Sequence, residues 1–117
     1  MSVAADDPQL QFTAVLPAAR KALALAGLTI DDIDRVEVNE AFACVPLLVQ
    51  RELGVKDERL NVNGGSIAIG HPLGSTGARM MGDLVSELEA SHTRYGLLVI
   101  CEGGGMANAT VLERFVA

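Results

Sequence analysis

The stretch Tyr95 to Cys101 is apolar almost without interruption, with Leu97, Leu98, Val99 and Ile100 in succession. A strand that faces water on one side alternates apolar and polar residues, so a run without alternation has to be covered on both faces. Such a strand needs a layer above it and a layer below it, which restricts the chain to an α/β layered architecture. The run ends at Cys101, and after Gly103, Gly104 and Gly105 the segment from about Ala107 to Phe115 reads as its returning partner strand.

The rest of the chain supplies the layers. Pro17 to Ala26 is rich in Ala, Leu, Lys and Arg and stops at Gly27, which predicts a helix with Pro in its first turn and Gly just past its end. Arg35 to Val38 alternates Val36 and Val38 with charged residues, predicting a short strand that leads into Asn39 and Glu40. A second helix is expected over about Ala41 to Leu53, with Ala41, Cys44, Val45 and Leu48 on its core face and Pro46 bending it or delaying its start. Leu60 to Gly70 reads as a short strand that breaks into a loop at Gly64 and Gly65. A third helix opens near Ser75 or Thr76 and places Met81, Leu84, Val85 and Leu88 on one face. No strand-like run precedes the first helix, because Met1 to Leu16 holds Asp6, Asp7, Pro8 and only scattered apolar residues. The sheet is therefore expected to be short of a strand at its beginning.

With 117 residues the chain is sized for a single domain, 1–117, and its 50% hydrophobic content is ample for a packed core. Fifteen acidic against nine basic residues give a formal charge of −6, the wrong sign for nucleic acid or an anionic membrane. Only Phe12, Phe42, Tyr95 and Phe115 are aromatic, so no base-stacking platform is expected. The first residues lack the blocks of a secretory signal, and no apolar stretch approaches the roughly 20 residues that span a bilayer. A cytoplasmic protein is the expectation. Cys44 and Cys101 stand far apart with no Cys-x-x-Cys or Cys/His pairing at zinc spacing, which points away from a disulfide scaffold and from a metal.

Polar groups fall at the ends of predicted strands, where open α/β sheets place their ligand sites. Asn39 with Glu40, His71 and Cys101 would bring an amide, an imidazole and a thiol together, a set suited to acyl transfer or carbanion chemistry. Taken singly, each has a plainer reading. Cys101 suits a buried small hydrophobe, His71 a loop residue tied to a carbonyl, and Asn39 a helix cap. Cys44 suits the core, and Gly70 to Arg79 suits a phosphate cradle, although it lacks the lysine of a Walker loop.

Together these stretches resemble one family. Asn39-Glu40-Ala41-Phe42-Ala43, the long run Asn61 to Arg79 (NVNGGSIAIGHPLGSTGAR) and Cys101-Glu102-Gly103-Gly104-Gly105-Met106 are similar, in order and spacing, to the three C-terminal motifs of the thiolases, the acyl-CoA C-acyltransferases. The resemblance extends from about Asp7 to Val116. It implies the thiolase C-terminal fold, a layered mixed sheet with helices on both faces. It also implies a role for each group. Asn39 would hold a water that, with His71, binds the thioester oxygen of acetyl-CoA. His71 would also activate the nucleophilic cysteine. Cys101 would move a proton to or from the α-carbon, and the Gly103 N–H would polarise the acyl-enzyme carbonyl. Substrates would be CoA thioesters, with no resident cofactor. Ala107 departs from the common pattern, where glycine often follows the methionine, with a consequence expected only for local packing.

The resemblance implies an absence as well. A thiolase has two similar halves, and its acyl-accepting cysteine belongs to the N-terminal half, to whose motif neither Cys44 nor Cys101 corresponds. The family's first C-terminal strand normally precedes the Asp-Pro found here at Asp7-Pro8, so only Met1 to Asp6 would remain of a central strand, leaving unpaired edges on its neighbours. The expectation is thus a thiolase C-terminal half that partners an N-terminal half, binds acyl-CoA and forms a homo- or hetero-oligomer. The alternative is a non-catalytic interaction module of thiolase descent.

Overall fold

The computed structural model describes residues 1–115, so Val116, at the end of the family resemblance, lies outside the described residues. The elements run β1 (Ser2–Ala5), α1 (Val15–Ala26), β2 (Arg35–Val38), α2 (Cys44–Leu53), α3 (Ser66–Ile69), α4 (Thr76–Ala90), β3 (Tyr95–Glu102) and β4 (Met106–Glu113). The strands form one mixed sheet in the order β1-β4-β3-β2. In it β2 runs parallel to β3 and the other neighbours are antiparallel.

The apolar run takes the place its composition demands. Leu97 and Val99 join Val36, Val38, Val45 and Val49 in the larger core beneath α1 and α2, while Leu98 faces the other way onto Met80, Leu84 and Leu88 of α4. The β3–β4 hairpin is paired from Tyr95 opposite Glu113 to Glu102 opposite Met106. Its glycine turn is required at Gly105, where φ is 75° and a Cβ would stand 3.0 Å from the Pro8 Cα. The Asp6 N–H donates to the Gly105 carbonyl at 2.9 Å, tying the segment after β1 to this turn.

The structure corrects several expectations. Ser2–Ala5 is a strand, paired with Ala109 back to Met106. It lies at the edge of the sheet with β4 as its neighbour, so two bereft neighbours do not arise. Ser2 and Ala4 are small enough for α1 to pack closely, and the buried Ser2 hydroxyl donates to the Ala18 carbonyl at 2.7 Å. The expected strand in Leu60 to Gly70 is absent. Leu60 makes a single bridge to Val36, and the Asn61 side chain then copies a strand, its Oδ1 accepting from the Val38 N–H at 2.7 Å and its Nδ2 donating to the Val38 carbonyl at 3.0 Å. The chain next turns at Gly64 and winds the short α3.

The helices shift by fractions of a turn. Pro46 delays α2, which starts at Cys44 so that the missing N–H falls in the first turn, where it has no intrahelical acceptor. That delay turns Cys44 out to solvent, against the expected core position, and the buried residues are Val45, Pro46 and Val49. On α4 the predicted Leu84 and Leu88 are buried, but Met80 joins them in place of the partly buried Met81 and the exposed Val85.

Candidate functional site

The parallel strands β2 and β3 point their carboxyl ends to one edge of the sheet, and the site forms there. Asn39 continues β2, its N–H donating to the Val99 carbonyl at 2.9 Å. It is fully buried and does not cap α2, whose N-cap is Ala43. Cys101 sits half-buried near the end of β3, and His71 follows α3 in the loop that leads to α4. His71, Cys101 and the Gly103 turn line a cavity of about 550 Å³, together with Phe42, Leu73 and Ile100. Asn39 lies behind the cavity wall, its Nδ2 3.5 Å from His71 Nε2. The residues singled out in the sequence therefore converge.

Their supports come from the same motifs. Glu40, next to Asn39, accepts from the Ile67 N–H at 2.9 Å through Oε2 and from Asn61 Nδ2 at 3.2 Å through Oε1. A Cβ at Gly65 would collide with this carboxylate, so the glycine there makes room for the loop to close. His71 Nδ1 stands 2.9 Å from Thr76 Oγ1, and the Thr76 hydroxyl donates to the Pro72 carbonyl at 2.8 Å. Ser66 donates to Asn39 Oδ1 at 2.9 Å. The phosphate-cradle reading fails on this geometry, because the Ser75 and Thr76 N–H groups at the start of α4 both already donate to the Pro72 carbonyl, at 3.0 and 2.9 Å.

Burial against the larger core pushes the Cys101 thiol up from its usual range, while its own backbone, the Asn39 side chain and the Ala41 backbone pull it down as hydrogen-bond donors. The thiol is the favoured form, and the donors that would hold a thiolate are in place. On the α4 side of β2, the buried Glu37 carboxyl is pushed up to about 7, first by burial and then by Asp83, with Arg79 opposing and Glu40 and Glu87 adding to the rise. Among the described residues no group of three or more His, Cys, Asp or Glu side chains could hold a metal ion.

Periodicity and composition did not mark Ser66, Thr76 or Arg79 as parts of the site. Each acts through a contact that the chain closes only on folding, as Ser66 does with Asn39, 27 residues earlier. A dense run of small and polar residues around His71, with no periodicity of helix or strand, was the available signal.

Known proteins share this sequence and fold. A steroid 3-ketoacyl-CoA thiolase of Mycobacterium tuberculosis is 50% identical over 114 residues, 97% of this chain and 28% of that protein. An acetyl-CoA acetyltransferase of Syntrophomonas wolfei is 51% identical over 109 residues, 92% of this chain and 28% of that protein. The crystal structure of human mitochondrial 3-ketoacyl-CoA thiolase superposes with a TM-score of 0.94 at 42% identity, over 97% of this chain and 29% of that one. The chain thus spans under a third of the length of these relatives. Residues 1–114 match the thiolase C-terminal domain, and the chain belongs to the thiolase family.

Proposed function

We propose that this chain works as the C-terminal half of a thiolase-type acyltransferase, with an N-terminal thiolase half supplying the nucleophilic cysteine from whichever polypeptide carries it. The reaction is thiolysis of a 3-ketoacyl-CoA by CoA, or the reverse condensation of an acyl group with acetyl-CoA, as in fatty acid metabolism. The observation that carries this reading is the convergence of His71, Cys101 and Gly103 on one cavity with Asn39 behind it. Around that edge Phe42, Ile67, Ile69 and Leu73 are each more than half exposed, apolar surface of the kind a partner half covers. The reading includes a cytoplasmic setting and no resident cofactor. Among the described residues no helix is long and apolar enough to cross a membrane.

The chemistry follows from the groups present. His71 takes the proton of the partner's cysteine, whose thiolate attacks the substrate carbonyl and carries the acyl group as a thioester. In condensation, CoA leaves the first substrate with the proton that His71 took, and Cys101 as thiolate then removes a proton from the α-carbon of acetyl-CoA. The resulting carbanion attacks the acyl thioester and expels the partner's thiolate, to which His71 relays the proton now held by Cys101. In thiolysis the order reverses, and the Cys101 thiol gives its proton to the departing acetyl-CoA carbanion. Burial keeps Cys101 protonated, which suits the donating step. Asn39, through a bound water, and His71 hold the developing thioester oxyanion, and the Gly103 N–H holds that of the acyl-enzyme.

The test is an assay of acetoacetyl-CoA thiolysis by this chain alone and mixed with a thiolase N-terminal half. The expected result is no turnover alone and turnover on mixing. Turnover by the pure chain that disappears in Cys101→Ala would show that no second half is needed. A folded complex without turnover would favour the non-catalytic interaction module.

A further inference from the structure

We propose that Arg79 and Ser66 are positioning residues that fix the proton arrangement of the site, because the side chains between Arg79 and Pro72 form one hydrogen-bond chain with a single satisfied direction. Arg79 Nη2 stands 3.3 Å from Ser66 Oγ, and Ser66 Oγ stands 2.9 Å from Asn39 Oδ1. Asn39 Nδ2 stands 3.5 Å from His71 Nε2. His71 Nδ1 stands 2.9 Å from Thr76 Oγ1, which stands 2.8 Å from the Pro72 carbonyl.

The two ends of this chain are not interchangeable. A guanidinium only donates and a carbonyl only accepts. At the carbonyl end, Thr76 gives its one hydrogen to Pro72 and must accept from His71, so the neutral imidazole carries its proton on Nδ1. Nε2 then holds a lone pair, and Asn39 has to present its NH₂ to it. At the other end Arg79 donates to Ser66, and the Ser66 hydrogen is free for Asn39 Oδ1. Both ends impose the same orientation on the Asn39 amide. Reversing the middle of the chain leaves the buried Ser66 hydrogen without an acceptor and gives up the Thr76–Pro72 hydrogen bond. Arg79 is itself aimed by Asp83, which accepts from its Nη1 at 3.2 Å.

The outcome is an imidazole whose basic nitrogen is Nε2, the atom beside Asn39 and at the cavity. The catalytic consequence rests on the reading of His71 as the proton acceptor for the partner's cysteine, but the proton arrangement itself does not.

The experiment therefore needs no partner half. Long-range proton–nitrogen couplings in the ¹⁵N-labelled full chain, at a pH where the imidazoles are neutral, report the tautomer of His71, with the exposed His92 as internal reference. The expected result is a predominantly Nδ1–H His71. Ser66→Ala and Arg79→Met should each move the tautomer ratio toward Nε2–H by about fivefold, the worth of a typical net hydrogen bond. Ser66→Thr, which keeps the hydroxyl, should restore it, with His92 unmoved throughout. If Ser66→Ala fails to fold, Arg79→Met, at a side chain 25% exposed, makes the same break. A wild-type His71 protonated on Nε2, or a ratio unmoved in the folded variants, overturns the proposal and leaves the thiolysis assay untouched.

Discussion

The two faces of the sheet bury different chemistry. Under α1 and α2 the core is aliphatic, built from Ala, Val, Leu and Ile, with the Ser2 hydroxyl satisfied by Ala18. On the α4 side a smaller cluster of Met80, Leu84, Leu88 and Leu98 is accompanied by buried Glu37, Asn39, Ser66 and Thr76. An aliphatic face stabilises by area and shape alone, whereas a buried polar face is stable only while its hydrogen bonds are made. Stability is thus concentrated under α1 and α2, and the α4 side gives up some of it to hold an amide and an imidazole in fixed orientation. Cys101 stands at the border between the two, packed against the aliphatic core yet open to the cavity, which is why burial raises its pKa.

The sharpest contrast between the faces is in catalysis. In a complex with an N-terminal half, Cys101→Ser and His71→Ala should each lower kcat by about two to four powers of ten. Asn39→Ala should cost less, since its amide lies behind the cavity wall, while substitutions confined to the α1 side should leave kcat unchanged where the protein folds. Steady-state thiolysis measures all of these, and full activity in His71→Ala would remove the role assigned to it.

Next in size is packing. Leu97→Ala, in the larger core, should destabilise by about 3–5 kcal/mol. Leu84→Ala, in the smaller cluster beside the exposed Val85, should cost about 2–3 kcal/mol, because α4 can settle into the space. Urea midpoints give both values, and a reversed order would show that the α4 face is the more tightly packed.

The smallest effect is electrostatic and confined to the α4 side. The Glu37 pKa is raised to about 7 from 4.5, first by burial. The native state then holds a proton that the unfolded state has lost, so stability falls as pH rises between about 4.5 and 7. Glu37→Gln should abolish that slope, leaving stability at pH 5 nearly unchanged and raising it at pH 8 by on the order of 2 kcal/mol. Melts of both proteins across this range decide it, and parallel curves would place the Glu37 carboxyl in a solvated setting.

Where the signal is local, the sequence alone already shows the fold. The unbroken run of β3, the alternation in β2 and the Gly27 that ends α1 at φ 68° are each legible within a few residues. β1 was not, because Ser2 and Ala4 carry little strand propensity and the strand exists by pairing with β4, over a hundred residues away. The apolar residues Val62, Ile67 and Ile69 imitated a strand, but all three are exposed, and the Asn61 side chain does the pairing instead. In the site, Asn39, His71, Cys101 and Gly103 stood out through their motifs, whereas Ser66 and Arg79 matter through the direction of hydrogen bonds, which no linear pattern encodes.

The central claim is that this chain brings an acid–base thiol to a site whose nucleophile comes from elsewhere. The most direct measurement is exchange of the acetyl-CoA methyl protons in deuterated water, with this chain, an N-terminal half and acetyl-CoA present, followed by mass spectrometry alongside acylation of the partner's cysteine. The account predicts exchange in the complex, none with this chain alone, and a loss of about two powers of ten or more in Cys101→Ser while acylation of the partner persists. Undiminished exchange in that variant would contradict it.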